Sequence, residues 1–229
     1  VYYNTNLAPS ASFVSTKVQR DLTSYAESSE LNKYGARFKY SRFLKVIDSS
    51  HESVTSNITT VEMRRDLRLA TSEVAEYAID FGNEFHVRSM NGFNIRSSAF
   101  RVSNISADVY LYDVPNSTAE KGQISLFSLN EGSSTPIIQR RNIGVIDYKK
   151  GRITLDPINI VSGKTKDNVD ILEISATPES NDIIGLQDLY LQLDSSFVDM
   201  VVDEISSGAD PSGSTYTVTT SYKNGNIIR

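Results

Sequence analysis

Asn142-Ile143-Gly144-Val145-Ile146-Asp147-Tyr148-Lys149-Lys150-Gly151-Arg152-Ile153-Thr154-Leu155 is the stretch that decides the fold. Ile143, Val145 and Tyr148 lead into a turn, and Ile153 and Leu155 lead out of it, at the near-alternating spacing of paired half-buried strands. Lys149-Lys150-Gly151 makes the connection, and Gly151 suits a left-handed backbone position that most side chains resist. The same two-residue period runs outward on both sides. Upstream it predicts strands at Ser56 to Leu67, Tyr77 to Phe81, Asn94 to Val102, Ala107 to Val114, Gln123 to Leu129 and Ile137 to Arg140. Downstream it predicts them at Val169 to Ala176, Leu186 to Leu193, Phe197 to Ile205 and Tyr216 to Tyr222.

Only the N-terminal region changes period. Val14, Val18, Leu22 and Tyr25-Ala26 recur every three to four residues, which predicts an amphipathic helix entered through Pro9-Ser10, with Ser10 or Ser12 as cap. Leu31 to Tyr34 closes with a last turn before Gly35, and a second, shorter helix starts near Ser41 with Phe43, Leu44 and Ile47 inward. The expected fold class is therefore α+β, mostly β: an N-terminal helix pair packed on a sheet, then a β-rich portion of short antiparallel strands and hairpins. The expected division is a helix-plus-sheet domain, 1–82, and a β-rich domain, 83–229. The run Ser206 to Ser214 reads as the most mobile loop.

Composition excludes more than it assigns. The 229 residues carry a net charge of −5 and no cysteine, so a disulfide scaffold, a thiolate metal site and a thiol nucleophile are out. The acidic balance lacks the basic field of a general nucleic-acid or anionic-membrane binder, and no segment reads as a membrane span or signal peptide. The start at Val1 reads as the beginning of an end piece from a longer subunit.

Chemistry-bearing residues do not converge. His51 and His86 stand in no metal-ligand spacing, and there is no nucleophile elbow, Walker loop or dinucleotide fingerprint. Asp170 with Glu173, or Asp199 with Glu204, could pair as a glycosidase acid and base, but odd spacing on a strand splits the first pair between two faces, and solvated strand faces explain such residues better. Arg64-Arg65 with Arg68, and Arg140-Arg141, read as ion pairs or interface arginines before phosphate contacts. Asn57, Asn104 and Asn116 head sequons that matter only in a secreted chain. The twelve tyrosines and nine phenylalanines read mainly as core. No catalytic, cofactor-binding or metal residue is assigned, and no cofactor is expected.

A family resemblance covers most of the chain. Lys33-Tyr34-Gly35-Ala36-Arg37-Phe38-Lys39-Tyr40-Ser41-Arg42-Phe43, running into Ile47-Asp48-Ser49-Ser50, is its first stretch. Ser53 to Thr60, Met63-Arg64-Arg65-Asp66-Leu67, Asp80-Phe81-Gly82-Asn83 and Ile95 to Phe100 follow, then the Asn142 to Leu155 hairpin. Ile174 to Pro178, Asn181-Asp182-Ile183 and Ser214 to Tyr222 complete the ordered set. Together these resemble the C-terminal region of gene product six, the baseplate wedge protein of T-even-like myophages, and its baseplate J-like relatives. The resemblance implies a non-enzymatic virion protein of the tail baseplate, assembled in the host cytoplasm. It implies homodimers and a higher-order ring of copies, contacts with other baseplate wedge subunits and rearrangement when the sheath contracts. Neither nucleic acid nor membrane is an expected partner. The alternative expectation is an extracellular β-rich carbohydrate-binding or adhesin module, suggested by the tyrosines, the sequons and the acidity.

Overall fold

The computed structural model describes residues 1–8, 10–130, 135–186, 191–193, 198–203, 222–223 and 226–227. In chain order the first elements are β1 (Tyr2–Tyr3), α1 (Ala11–Ala26), β2 (Arg37–Phe38), α2 (Tyr40–Asp48) and β3 (Val54–Ser56). Then come β4 (Met63–Arg68), β5 (Val74–Asp80), β6 (Ile95–Ser97), β7 (Arg101–Val102), β8 (Tyr110–Pro115) and β9 (Lys121–Leu129). β10 (Pro136–Asp147), β11 (Arg152–Ser162), β12 (Lys164–Lys166), β13 (Val169–Ala176), β14 (Ile183–Ile184) and β15 (Val201–Val202) follow, with a last short pair, β16 (Tyr222–Lys223) and β17 (Asn226–Ile227). The protein is α+β and mostly β, with its two helices near the N-terminus.

The first helix forms where its apolar period places it. Ser10 accepts the Phe13 amide at 3.2 Å as N-cap, and Val14, Val18, Leu22 and Tyr25 are its buried residues. It stops at Ala26, and the following turns bury Leu31 completely. In α2, Ile47 is buried while Phe43 and Val46 pack on the core; Leu44, expected inward, is only half-buried. No side chain of its own segment caps α2. Instead Asp182, far along the chain, accepts the Tyr40 amide at 2.8 Å.

The helix pair rests on a three-stranded sheet of order β15-β1-β3. Its small core joins Tyr3, Val14, Val18, Leu22 and Ile47, with Val198 and Met200 packed against them. β1 pairs in parallel with β15, so residues near the C-terminal end complete the N-terminal layer.

The strand expected from Ser56 to Leu67 is two strands in two sheets. β3 lies under the helices, and β4 pairs with β13 in the four-stranded sheet β12-β13-β4, where β6 also joins β13. The break falls where side chains compete for the backbone's role. Asn57 donates to Asp48 at 2.6 Å, Thr59 donates to Asn57 at 2.8 Å, and Ile58 is 75% exposed. The Asn94 to Val102 strand also splits, into β6 on β13 and β7 on β11.

The larger sheet has the order β5-β11-β10-β9-β8. At the expected hairpin, Gly151 takes φ +65° and β10 and β11 pair from Gly144↔Leu155 to Asp147↔Arg152. The inward phase before the turn is Gly144, Ile146 and Tyr148, so Val145 faces out. Ile143 still reaches the core because Asn142, at φ +54°, marks a register shift against β9. The separate Ile137 to Arg140 strand is the first half of β10. Tyr77, Ile79, Leu111, Ile124, Leu126, Ile146, Ile153 and Leu155 share one core with Met63, Ile95, Leu172, Ile174 and Ala176 of the smaller sheet. β5 precedes residue 82, yet it is hydrogen-bonded to β11.

Of the described residues in the expected C-terminal strands, Leu186 and 191–193 are not in strand, and within 198–203 Val201–Val202 alone forms one. Tyr222 opens β16. The other residues of those segments, the Ser206 to Ser214 loop and Pro9 lie outside the described residues.

Candidate assembly surface

Side chains singled out from sequence are dispersed over the fold. Nδ1 of His51 lies 2.8 Å from the Ser53 hydroxyl and accepts the Ser53 amide at 3.1 Å, while its ring meets Phe13 edge-on. This histidine shapes a turn. His86 pairs with Glu179 at 2.7 Å on the surface. Asp170 takes the Thr165 hydroxyl at 3.3 Å, whereas Lys164 holds both oxygens of Glu173 at 2.9 Å. Asp199 contributes its carbonyl to the Val1 nitrogen, and Glu204 is outside the described residues. Arg64 reaches Asp66, which also receives Lys166 at 2.7 Å. Among the described residues no cluster of three or more His, Asp or Glu could hold a metal. Among them, too, no helix is long and apolar enough to cross a membrane.

Sequence reasoning missed the most connected polar group, Asp113. It is fully buried on β8, where its carboxylate accepts the Asn94 amide at 2.7 Å, the Ile95 amide at 3.0 Å and the Asn94 side chain at 2.7 Å. Tyr148 donates a fourth bond at 2.5 Å. Burial, then the bond to Asp113 and its charge, push the Tyr148 hydroxyl far above the usual tyrosine range. An aspartate in a strand reads as solvated from sequence; its partners come from segments 18 and 35 residues away.

This carboxylate holds the loop before β6 against β8. Gly92 takes φ +92°, and a Cβ there would stand 2.0 Å from the Asp113 carbonyl oxygen. The next residue, Phe93, is forced to φ +63°, a conformation costly for a bulky side chain. The residue remains 49% exposed, and its ring stacks on Tyr112 at 5.0 Å and meets Phe127 edge-on at 5.4 Å. Across the strands Tyr110, Phe127 and Ile138 stand in one row, since Tyr110 pairs with Phe127 and Phe127 with Ile138. The result is a pre-formed apolar patch on the outer face, fixed by a buried charge beneath it.

Beside the patch β10 forms an open arm. Residues 136–142 are all exposed, seven in succession, with Ile137 at 39% and Ile138 at 41%. β9 pairs with one side of this arm, while β11 joins β10 only from Gly144 onward. Among the described residues nothing pairs with the other side, so a row of amides and carbonyls is presented to solvent. Arg140 and Arg141 sit on this arm. An unpaired edge, exposed isoleucines, two arginines and a rigid aromatic cluster are the kinds of group that protein–protein interfaces use.

Residues 1–66 match the family of the baseplate structural protein gp6, C-terminal domain III. The matched segment holds β1, α1, β2, α2, β3 and the start of β4, which is the helix pair with two strands of its sheet. It is under a third of the 229 residues. No curated protein matches the chain.

Proposed function

We propose that this chain is a non-enzymatic structural subunit of a contractile phage tail baseplate. In this reading it is a wedge component located in the virion and assembled in the host cytoplasm. Copies associate as dimers and as an inner ring, contact other wedge subunits and shift when the sheath contracts. The match of residues 1–66 to a baseplate structural family carries the reading. The open arm of β10 and its adjoining aromatic patch support it, because exposed edges of this kind are stabilised by a partner strand. The mechanism is burial of edge hydrogen bonds and apolar side chains between subunits. Light scattering across a concentration series tests it: the chain is expected to self-associate, and a species monomeric throughout contradicts it.

A second reading, a carbohydrate-binding or adhesin module, draws on half-exposed Phe93. One face of that ring is already stacked on Tyr112, which leaves it poorly suited as a sugar platform. A saturable signal on a glycan array favours this module reading, and a blank array counts against it.

A further inference from the structure

Two edges of the larger sheet that are unpaired among the described residues carry opposite charge. One is the 136–142 arm of β10, where Arg140 and Arg141 are exposed and no acidic residue is present. The other is the outer edge of β5, the terminal strand at the opposite side of the sheet. β5 and its approach expose Glu73 and Glu76, together with Val74 at 69%. None of these four charged residues has an ion-pair partner among the described residues. Asp80, at the far end of β5, is already taken by Arg152 at 2.6 Å. The third edge, that of β8, is occupied in part: Ser97 accepts the Leu111 amide, and Phe100 bridges Val109.

We propose that the β10 arm of one copy adds as an extra strand to the outer edge of β5 in a neighbouring copy, setting Arg140 and Arg141 against Glu73 and Glu76. Both rows of unpaired backbone groups are then satisfied. Charge selects this pairing over arm-to-arm contact. An antiparallel pair of arms would collect four guanidinium groups in one ladder with no carboxylate among them, and like charges across a ladder destabilise it. The two edges lie on different strands, so the contact is head-to-tail and repeats from copy to copy; a head-to-tail contact closes into a ring or grows into a filament. The pairing rests on the self-association proposed above and specifies its surfaces.

Sedimentation velocity of three proteins tests it: the wild-type chain, Arg140→Glu with Arg141→Glu, and Glu73→Arg with Glu76→Arg. All four positions are exposed, and circular dichroism verifies that each variant is folded. Each variant alone is expected to associate at least about tenfold more weakly, because it sets like charges against each other. An equimolar mixture of the two variants restores association, since the reversed arm then meets the reversed edge. Wild-type association that neither variant weakens overturns the pairing while leaving the assembly reading intact. A β10 variant that weakens it beside a β5 variant that does not indicates arm-to-arm contact and likewise overturns the proposal. A wild-type chain that never associates overturns both.

Discussion

Asp113 is the residue on which most of the local architecture turns. Removing its side chain takes the acceptor from two backbone amides, one side-chain amide and a tyrosine hydroxyl, of which the Ile95 amide and the Tyr148 hydroxyl are buried and the Asn94 groups partly so. Each unsatisfied buried group costs about 1–3 kcal/mol, although water entering the space offsets part of the total. Asp113→Ala is therefore expected to lose about 3–5 kcal/mol of stability in urea denaturation, comparable to breaking a buried charged pair. A loss below about 1 kcal/mol would mean that the carboxylate is not the clamp described. Tyr148 adds a pH dependence. Its folded pKa is raised, so the stability it contributes is fully present below its unfolded pKa, about 10, and drains away as pH rises beyond it. Tyr148→Phe should flatten the alkaline limb of stability against pH; an unchanged limb contradicts the buried-hydroxyl account.

At the acid end the sign reverses. Burial tends to raise the pKa of Asp80, but the bond from Arg152, the Gly82 amide and nearby positive charge outweigh it and hold the carboxyl below its usual range. Its stabilisation is present above the unfolded pKa and fades as pH falls below about 4. The carboxylate is more than a third exposed, so the effect is small, as for other surface pairs. Arg152→Ala should make the decline in stability below about pH 4 slightly shallower. A steeper decline contradicts the ion pair.

Among the elements, α1 makes the sharpest case for local causes. Leu22 is nearly fully buried in the small core beneath the helices, and Leu22→Ala is expected to cost about 2–4 kcal/mol in chemical denaturation. This helix was legible because its information is local: the apolar spacing and the Ser10 cap lie within 17 residues. The hairpin was legible for the same reason, down to the left-handed Gly151. Its inward phase is not legible from sequence, because the register shifts around Asn142 and nothing in an alternating pattern announces a bulge. The split between β3 and β4 was hidden because Ile58, Val61 and Met63 follow one another with only polar residues between them, although Ile58 is exposed and Met63 is buried. Asp182 capping α2, and Asn83 exchanging two hydrogen bonds with the Ile184 backbone, join segments 142 and 101 residues apart. Spacing along the chain does not encode such contacts. The assembly surface was only half legible. Arg140 and Arg141 read from sequence as ion-pair or interface arginines; that their strand edge is unpaired among the described residues follows from where β11 turns away.

Across the whole molecule, the segment matched to a baseplate family is not closed on itself. Its sheet takes β15 as a third strand, and Val198 and Met200 pack into its core. The two ends of the chain therefore stabilise each other. Replacing Val198 and Met200 together with serine should cost about 2 kcal/mol from lost apolar burial. In a chain of this length that lowers Tm by about 4–8 °C. An unchanged Tm would mean that the C-terminal strand is dispensable to the helix pair. A layer finished by a distant strand, alongside open edges elsewhere, fits a subunit whose surfaces are meant to receive neighbours.

Electron microscopy of phage particles labelled with gold-tagged antibody against this chain locates it in the virion. Label in a ring at the baseplate is expected in both extended and contracted tails. Particles free of label, or label confined to fibre tips, would contradict a structural place in the baseplate.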